Sequence, residues 1–184
     1  MARALSLAAA TLVFALADPP VAAREPTFAG VRLYYSPAGQ TVAYDIEAFA
    51  RARVSIDMAA YVLSDRGIIE ALGEAARRGV KVRLYLDDAD RRRTSGKTLD
   101  ALTTLAATSG VAIRRKAAGR DPMHLKSYLI DRRTLRTGSA NFSYTGGRFQ
   151  DNDVLMVESP ALAETFARNF EAIWDRPDNT NGLQ

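Results

Sequence analysis

The chain has 184 residues, 47% hydrophobic and 25% charged, enough to bury a core without metal or disulfide staples. It has no cysteine, which excludes disulfide frameworks, thiolate metal sites and cysteine nucleophiles, and one histidine, His124, which excludes any site needing several imidazoles from one chain. The formal net charge of +4 leans toward anionic partners without identifying one.

Arg3 precedes an apolar run from Ala4 to Ala17, too short and alanine-rich for a comfortable membrane span. Pro19 and Pro20 break it, and Val21 and Ala23 are small side chains at the positions a signal peptidase reads. Residues 1–23 are therefore expected to be a secretory signal peptide, with an uncleaved anchor as the alternative. Residues 24–184 are expected to form a single domain, periplasmic or secreted.

Strand and helix signals then alternate. Val31 to Tyr35 reads as a strand closed by the turn Ser36 to Gly39. Thr41 is placed to cap a helix carrying Val42, Ile46, Phe49 and Ala50 on one stripe. Val54 to Val62 is a second strand. Ser64 or Asp65 caps a helix bearing Ile68, Ile69, Leu72, Ala75 and Ala76, with Gly79 where a left-handed terminator is wanted. Val80 to Leu86 is a third strand, and the polar stretch Asp87 to Ser95 leads to a helix with Leu99, Leu102 and Leu105. Val111 to Arg114 is a short strand. Leu125 to Ile130 and Thr134 to Thr137 read as two strands joined by a turn, Asp153 to Glu158 as the last. Pro160 opens a final helix with Leu162, Phe166, Phe170 and Trp174. This alternation predicts an α/β fold, a mixed β-sheet flanked by helices on both faces.

The chemistry concentrates between His124 and Asp151. Residues two apart on a strand share a face, so His124 and Lys126 point one way and Leu125 and Leu129 the other. A four-residue turn from Asp131 to Thr134 sets Lys126 opposite Ser139 and His124 opposite Asn141. An imidazole, an ammonium, a hydroxyl and a carboxamide would then form one patch, the groups a phosphate oxyanion needs. Gly138 is expected to let the backbone come close to a ligand.

The run His124-x-Lys126-x4-Asp131, followed by x6-Gly138-Ser139-x-Asn141, resembles the signature of the phospholipase D superfamily. The chain is similar to its small, single-motif bacterial branch of secreted, metal-independent endonucleases, to which mitochondrial cardiolipin hydrolase is related. Tyr35-Ser36-Pro37, the strand from Val54 to Tyr61, the segment Arg78 to Val82 and Asp151-Asn152 also fit. The resemblance implies the phospholipase D/nuclease fold, a two-step phosphodiester transfer and a twofold dimer with its active site at the interface. His124 would attack phosphorus to give a phosphohistidine, and a second imidazole must serve as acid and then base. One histidine per chain makes an isologous homodimer the simplest source of the second. Lys126, Ser139 and Asn141 would hold the phosphate oxygens. Alignment puts Asp151 at the carboxylate position behind the histidine. Asp131 completes the motif, although strand alternation turns it away from His124 and reads it as a turn anchor.

No cofactor is expected. The competing metal-dependent reading rests on Asp87, Asp88 and Asp90 at a strand end, which is also ordinary turn composition. Arg91-Arg92-Arg93, Arg114-Arg115-Lys116 and Arg132-Arg133 are candidates to track a nucleic-acid backbone, or simply solvated surface. Tyr34, Tyr61 and Tyr85 read as core packing rather than base stacking. DNA or RNA is the favoured substrate. The alternatives are a phospholipid, phosphatidylcholine or cardiolipin, for which Phe142, Tyr144 and Phe149 form the one apolar lip in sight, and a binding module without turnover.

Overall fold

The computed structural model describes residues 29–88, 94–119 and 121–183. The expected signal peptide, Asp90 and the cluster Arg91-Arg92-Arg93 lie outside them.

Eight strands form one sheet: β1 (Val31–Ser36), β2 (Ser55–Ala60), β3 (Lys81–Leu86), β4 (Val111–Arg115), β5 (Lys126–Ile130), β6 (Thr134–Gly138), β7 (Asn152–Glu158) and β8 (Thr180–Asn181). Their order is β1-β7-β6-β5-β2-β3-β4-β8. The pairs β2–β3 and β3–β4 are parallel and the other pairs antiparallel, so the sheet is mixed as expected. Four helices are described: α1 (Thr41–Arg51), α2 (Arg66–Arg77), α3 (Gly96–Ala106) and α4 (Pro160–Trp174).

Strand alternation divides the core. Ile56, Met58 and Ala60 of β2 join Val82 and Leu84 of β3 beneath Phe49, Ile68, Ile69, Leu72, Leu102 and Leu105 of the first three helices. On the other face Ala59 and Tyr85 pack with Phe170, Ile173 and Trp174 of α4. The parallel centre is buried on both sides, which is why β2 carries almost no exposed residue. Asp65 caps α2 by accepting the Ile68 N–H at 3.1 Å, and Gly79 ends it at φ +94°.

Two local expectations are corrected. Thr41 does not cap α1: Gln40 stands at the cap in a left-handed conformation, and the Thr41 hydroxyl instead donates to the Gly147 carbonyl at 3.3 Å. The buried stripe of α1 holds Asp45 beside Val42 and Phe49, whereas Ala50 is exposed. Asp45 meets Arg136 of β6, and both are buried.

Candidate active site

His124 sits just before β5, exposed, and Lys126 opens that strand with its side chain buried. β5 lies between β2 and β6 near the middle of the sheet, so the lysine starts from a rigid base. The Lys126 ammonium lies 3.3 Å from His124 Nε2 and donates to the His124 carbonyl at 2.9 Å. An ammonium has only hydrogens to offer. The Nε2 contact is therefore a hydrogen bond for the tautomer with its proton on Nδ1 and its lone pair on Nε2. Burial lowers the Lys126 pKa from its ordinary value, and the charge of Arg136 adds to the effect.

The segment leading to His124 is pinned from behind. Asp87, at the end of β3, is buried and accepts the Met123 N–H at 2.6 Å, and its own carbonyl accepts from Arg115 at 3.0 Å. The carboxylate suspected of holding a metal thus fixes the backbone next to the histidine.

The β5–β6 register differs from expectation by one residue. Tyr128 pairs with Arg136 and Ile130 with Thr134, because the turn is three residues, Asp131 to Arg133, rather than four. Positive φ at both Asp131 and Arg132 makes the shorter turn possible. Ser139 therefore does not stand opposite Lys126, nor Asn141 opposite His124. In this register Ser127 stands across from Thr137, and their hydroxyls meet at 3.0 Å.

Ser139 is tied to β7 instead. Its N–H donates to the Asp153 carboxylate at 3.1 Å, and its hydroxyl accepts the Asp153 N–H at 2.9 Å. The Ser139 hydroxyl and N–H hold the Asp153 carboxyl below its ordinary pKa. Gly138 is needed for this packing: a Cβ there would lie 2.4 Å from the Asp153 carbonyl oxygen, at φ +143°. Asn141 is half-buried, and its side-chain oxygen has no partner among the described residues. Asp151 is exposed and lines an open groove with Leu33, Tyr35, Ser139, Asp153 and Leu155.

Asp131 lies at the other end of β5. Its carboxylate accepts the N–H groups of Arg53 at 3.0 Å, Val54 at 2.7 Å and Ser55 at 2.9 Å, locking the turn to the start of β2. That is the anchor role alternation assigned it.

Three contributors escaped the sequence reading. Arg136 Nη1 donates to the Lys126 carbonyl at 2.7 Å and to the Ala140 carbonyl at 3.1 Å, bolting the two halves of the motif together. Its guanidinium is balanced by Asp45 at 3.2 Å, which also accepts from the Tyr128 hydroxyl at 3.0 Å. Burial pushes the Asp45 carboxyl upward while Arg136 draws it back. Asp153 is the second contributor, and Tyr61 the third, half-buried against the His124 ring rather than in the core. A charge on a core-facing strand position was the one available sign of Arg136; its partner is 91 residues away.

The remaining expectations divide, two of the three tyrosines meeting theirs. Tyr85 is buried and donates to Asn179, and Tyr34 stacks on Tyr44 at 3.9 Å, as core packing requires. Arg115 is buried, and Arg114 lies over Trp174 and donates to its carbonyl, so neither is a free backbone-tracking cation. Arg132 pairs with Glu164 and Arg133 with Glu158. Phe142 is fully buried and leaves the apolar lip. Tyr144 and Phe149 remain, 59% and 64% exposed, with ring centroids 5.6 Å apart.

A family model described as "Cardiolipin synthase, PLD-like domain" matches residues 46–174, a span that holds the whole motif and Asp151. The chain belongs to the phospholipase D superfamily. Phospholipase D of Rickettsia felis is 36% identical over 136 residues, 73% of this chain and 64% of that protein. Mitochondrial cardiolipin hydrolase of Danio rerio is 29% identical over 74% of this chain and 58% of its own length. The chain thus spans about six tenths of the curated relatives it matches. Among solved structures, Nuc of Salmonella typhimurium, a phospholipase D family member, superposes with a TM-score of 0.73 at 27% identity, over 82% of this chain and 96% of that one. NucT of Helicobacter pylori gives 0.72 at 19% identity, which bears on the fold alone. The mixed sheet between two helical layers is this superfamily's fold, and the chain falls in the single-motif branch represented by Nuc.

Proposed function

We propose that the chain is a metal-independent phosphodiesterase that works through a phosphohistidine at His124, with nucleic acid as its substrate. The observation that carries this reading is the contact of the Lys126 ammonium with His124 Nε2 at 3.3 Å on an exposed ring. A phosphate diester entering here would draw the ammonium onto a non-bridging oxygen. That releases the Nε2 lone pair at the moment the phosphorus arrives. The Nε2–P bond forms as the P–O bond to the leaving alkoxide breaks. Water then attacks phosphorus and Nε2 departs. Lys126 offsets the charge on the phosphate oxygens through both steps, and Ser139 and Asn141 supply further donors once substrate is bound.

Both steps need a second imidazole, to protonate the alkoxide and then take the proton of the water. With one histidine in the sequence, a homodimer is its simplest source. The groove lined by Leu33, Tyr35, Ser139, Asp151 and Leu155 offers the second copy an apolar rim beside the motif. Asp151, on that rim, is the carboxylate we assign to holding a histidine Nδ1–H.

Phospholipid is the second reading, favoured by the exposed pair Tyr144 and Phe149 and by the names of the relatives. Nucleic acid ranks first on the resemblance to the endonuclease branch, the +4 charge and the small size of that lip. Plasmid DNA, single-stranded DNA, labelled phosphatidylcholine and labelled cardiolipin, each incubated with the protein in excess EDTA, decide among these. Cleavage of DNA alone is expected. Lipid turnover alone transfers the proposal to the second reading. Loss of all turnover in EDTA overturns metal independence, and absence of turnover under every condition leaves a binding module.

A further inference from the structure

Tyr61 follows directly after β2, and its ring packs against both His124 and Lys126. Its ring centroid lies 4.4 Å from that of His124, with 54° between the planes, and the Lys126 Nζ stands 4.8 Å over the same ring. The Tyr61 backbone is fixed: Ala59 and Ala60 of β2 just before it are fully buried, and the Tyr61 N–H donates to the Leu125 carbonyl at 2.8 Å. That bond joins Tyr61 to the residue between His124 and Lys126. Leu63, two residues further on, bridges to Phe142 just after Asn141.

We infer that Tyr61 is a positioning residue for phosphoryl transfer, its aromatic face aligning the His124 imidazole and the Lys126 ammonium and stabilising the imidazole as it turns cationic. The inference rests on the phosphohistidine reading. When Nε2 bonds to phosphorus, the ring exchanges a lone pair for a positive charge that Lys126, itself a cation, opposes. The electron-rich face of a tyrosine is the neutral surface able to favour that charge without forming a salt bridge to the phosphate. It attracts the ammonium for the same reason. Both groups are therefore held on one platform while Lys126 moves from Nε2 to a phosphate oxygen. The phenol hydroxyl plays no part, so the effect follows the ring and not the oxygen.

The test compares Tyr61→Phe, Tyr61→Trp and Tyr61→Leu in steady-state cleavage of an oligonucleotide, with NMR on the one histidine of the chain. Tyr61→Phe and Tyr61→Trp should keep kcat within about threefold, and Tyr61→Leu should lose about tenfold in kcat with little change in KM. In the unmodified protein the His124 ring protons should resonate upfield of a free histidine, from the ring current of Tyr61. That shift should persist in Tyr61→Phe and vanish in Tyr61→Leu. A Tyr61→Leu enzyme with normal kcat, a Tyr61→Phe enzyme as slow as Tyr61→Leu, a loss confined to KM, or an unshifted signal in the unmodified protein each overturns the inference. The last measurement needs no variant to fold. His124→Ala separates the two layers. If it retains turnover, the phosphohistidine reading fails. If it is inactive while Tyr61→Leu is normal, only the role of Tyr61 fails.

Discussion

The two ends of β5 are built from one motif and do opposite things. At its start, His124 is exposed and Lys126 presents a partly desolvated ammonium to the ring. At its end, five residues or ~16 Å of strand away, Asp131 spends its carboxylate on the backbone N–H groups of Arg53, Val54 and Ser55. A motif aspartate is easily read as a third catalytic group. Here the lesson is that the spacing Lys126-x4-Asp131 records the length of a strand, with the proposed reaction at one tip and a fold anchor at the other.

The largest effects should separate these ends cleanly. His124→Ala removes the proposed nucleophile from an exposed position, so turnover should fall by about 10⁴-fold or more while stability stays within about 0.5 kcal/mol. Asp131→Ala should do the reverse. Three backbone donors lose a charged acceptor, costing about 2 kcal/mol of stability, while kcat of the folded protein stays within about twofold of normal. Urea unfolding and single-substrate kinetics on both variants check this. A folded, stable Asp131→Ala protein without activity breaks the comparison and restores Asp131 to the chemistry.

Lys126 sharpens it, because it belongs to the end assigned the reaction yet its ammonium is partly desolvated. Burial lowers its pKa, so the folded state binds the proton less readily than the unfolded chain. Between the folded value and the ordinary 10.5 the unfolded chain holds more protons, and stability rises with pH across that window. Below the window the folded protein carries the penalty of holding that ammonium partly out of water. Lys126→Met should therefore be more stable at neutral pH by about 1 kcal/mol, should lack the alkaline rise, and should lose activity by about 10²-fold or more. Unfolding midpoints from pH 7 to 10 test the sign. A Met variant less stable than the parent at pH 7 removes desolvation as the governing term.

What the sequence made legible follows the range of the interactions. Alternating apolar residues located the sheet and its helices, and Asp65 and Gly79 marked the ends of α2, because each signal lies within a few residues of its consequence. The motif residues were equally visible. The turn after β5 was misread by one residue since nothing local announces that Arg132 adopts a positive φ. Such a slip changes every cross-strand partner, which is why Ser139 was assigned to Lys126 and not to Asp153. Asp45 and Arg136 lie in segments far apart in the chain, and neither segment names the other as its partner. They become a buried pair only when α1 is laid over β6, a fact held in tertiary packing alone. Tyr61 is the same case: an aromatic at a strand end is core or site according to what faces it.

The smallest effect expected concerns Asp153, which holds Ser139 against β7. Its carboxyl lies below the ordinary pKa because the Ser139 hydroxyl and N–H favour the charged form. The stability this contributes is complete above the unfolded value near 3.8 and is lost as pH falls through the lower folded value. Asp153→Asn should thus be less stable than the parent at pH 6, by under about 1 kcal/mol because solvent still reaches the half-buried group, and the gap should close as pH falls through the lowered folded value. Asparagine can still accept the Ser139 N–H, so the difference isolates the charge from the hydrogen bond. If Ser139 also holds a phosphate oxygen, the variant should raise KM by a few-fold with kcat nearly unchanged, since a loosened serine binds ground and transition states alike less well. A fall in kcat instead would mean that the β7 side of the groove takes part in the transition state, and that the two halves of the motif are more alike than the contacts of Lys126 and Ser139 indicate.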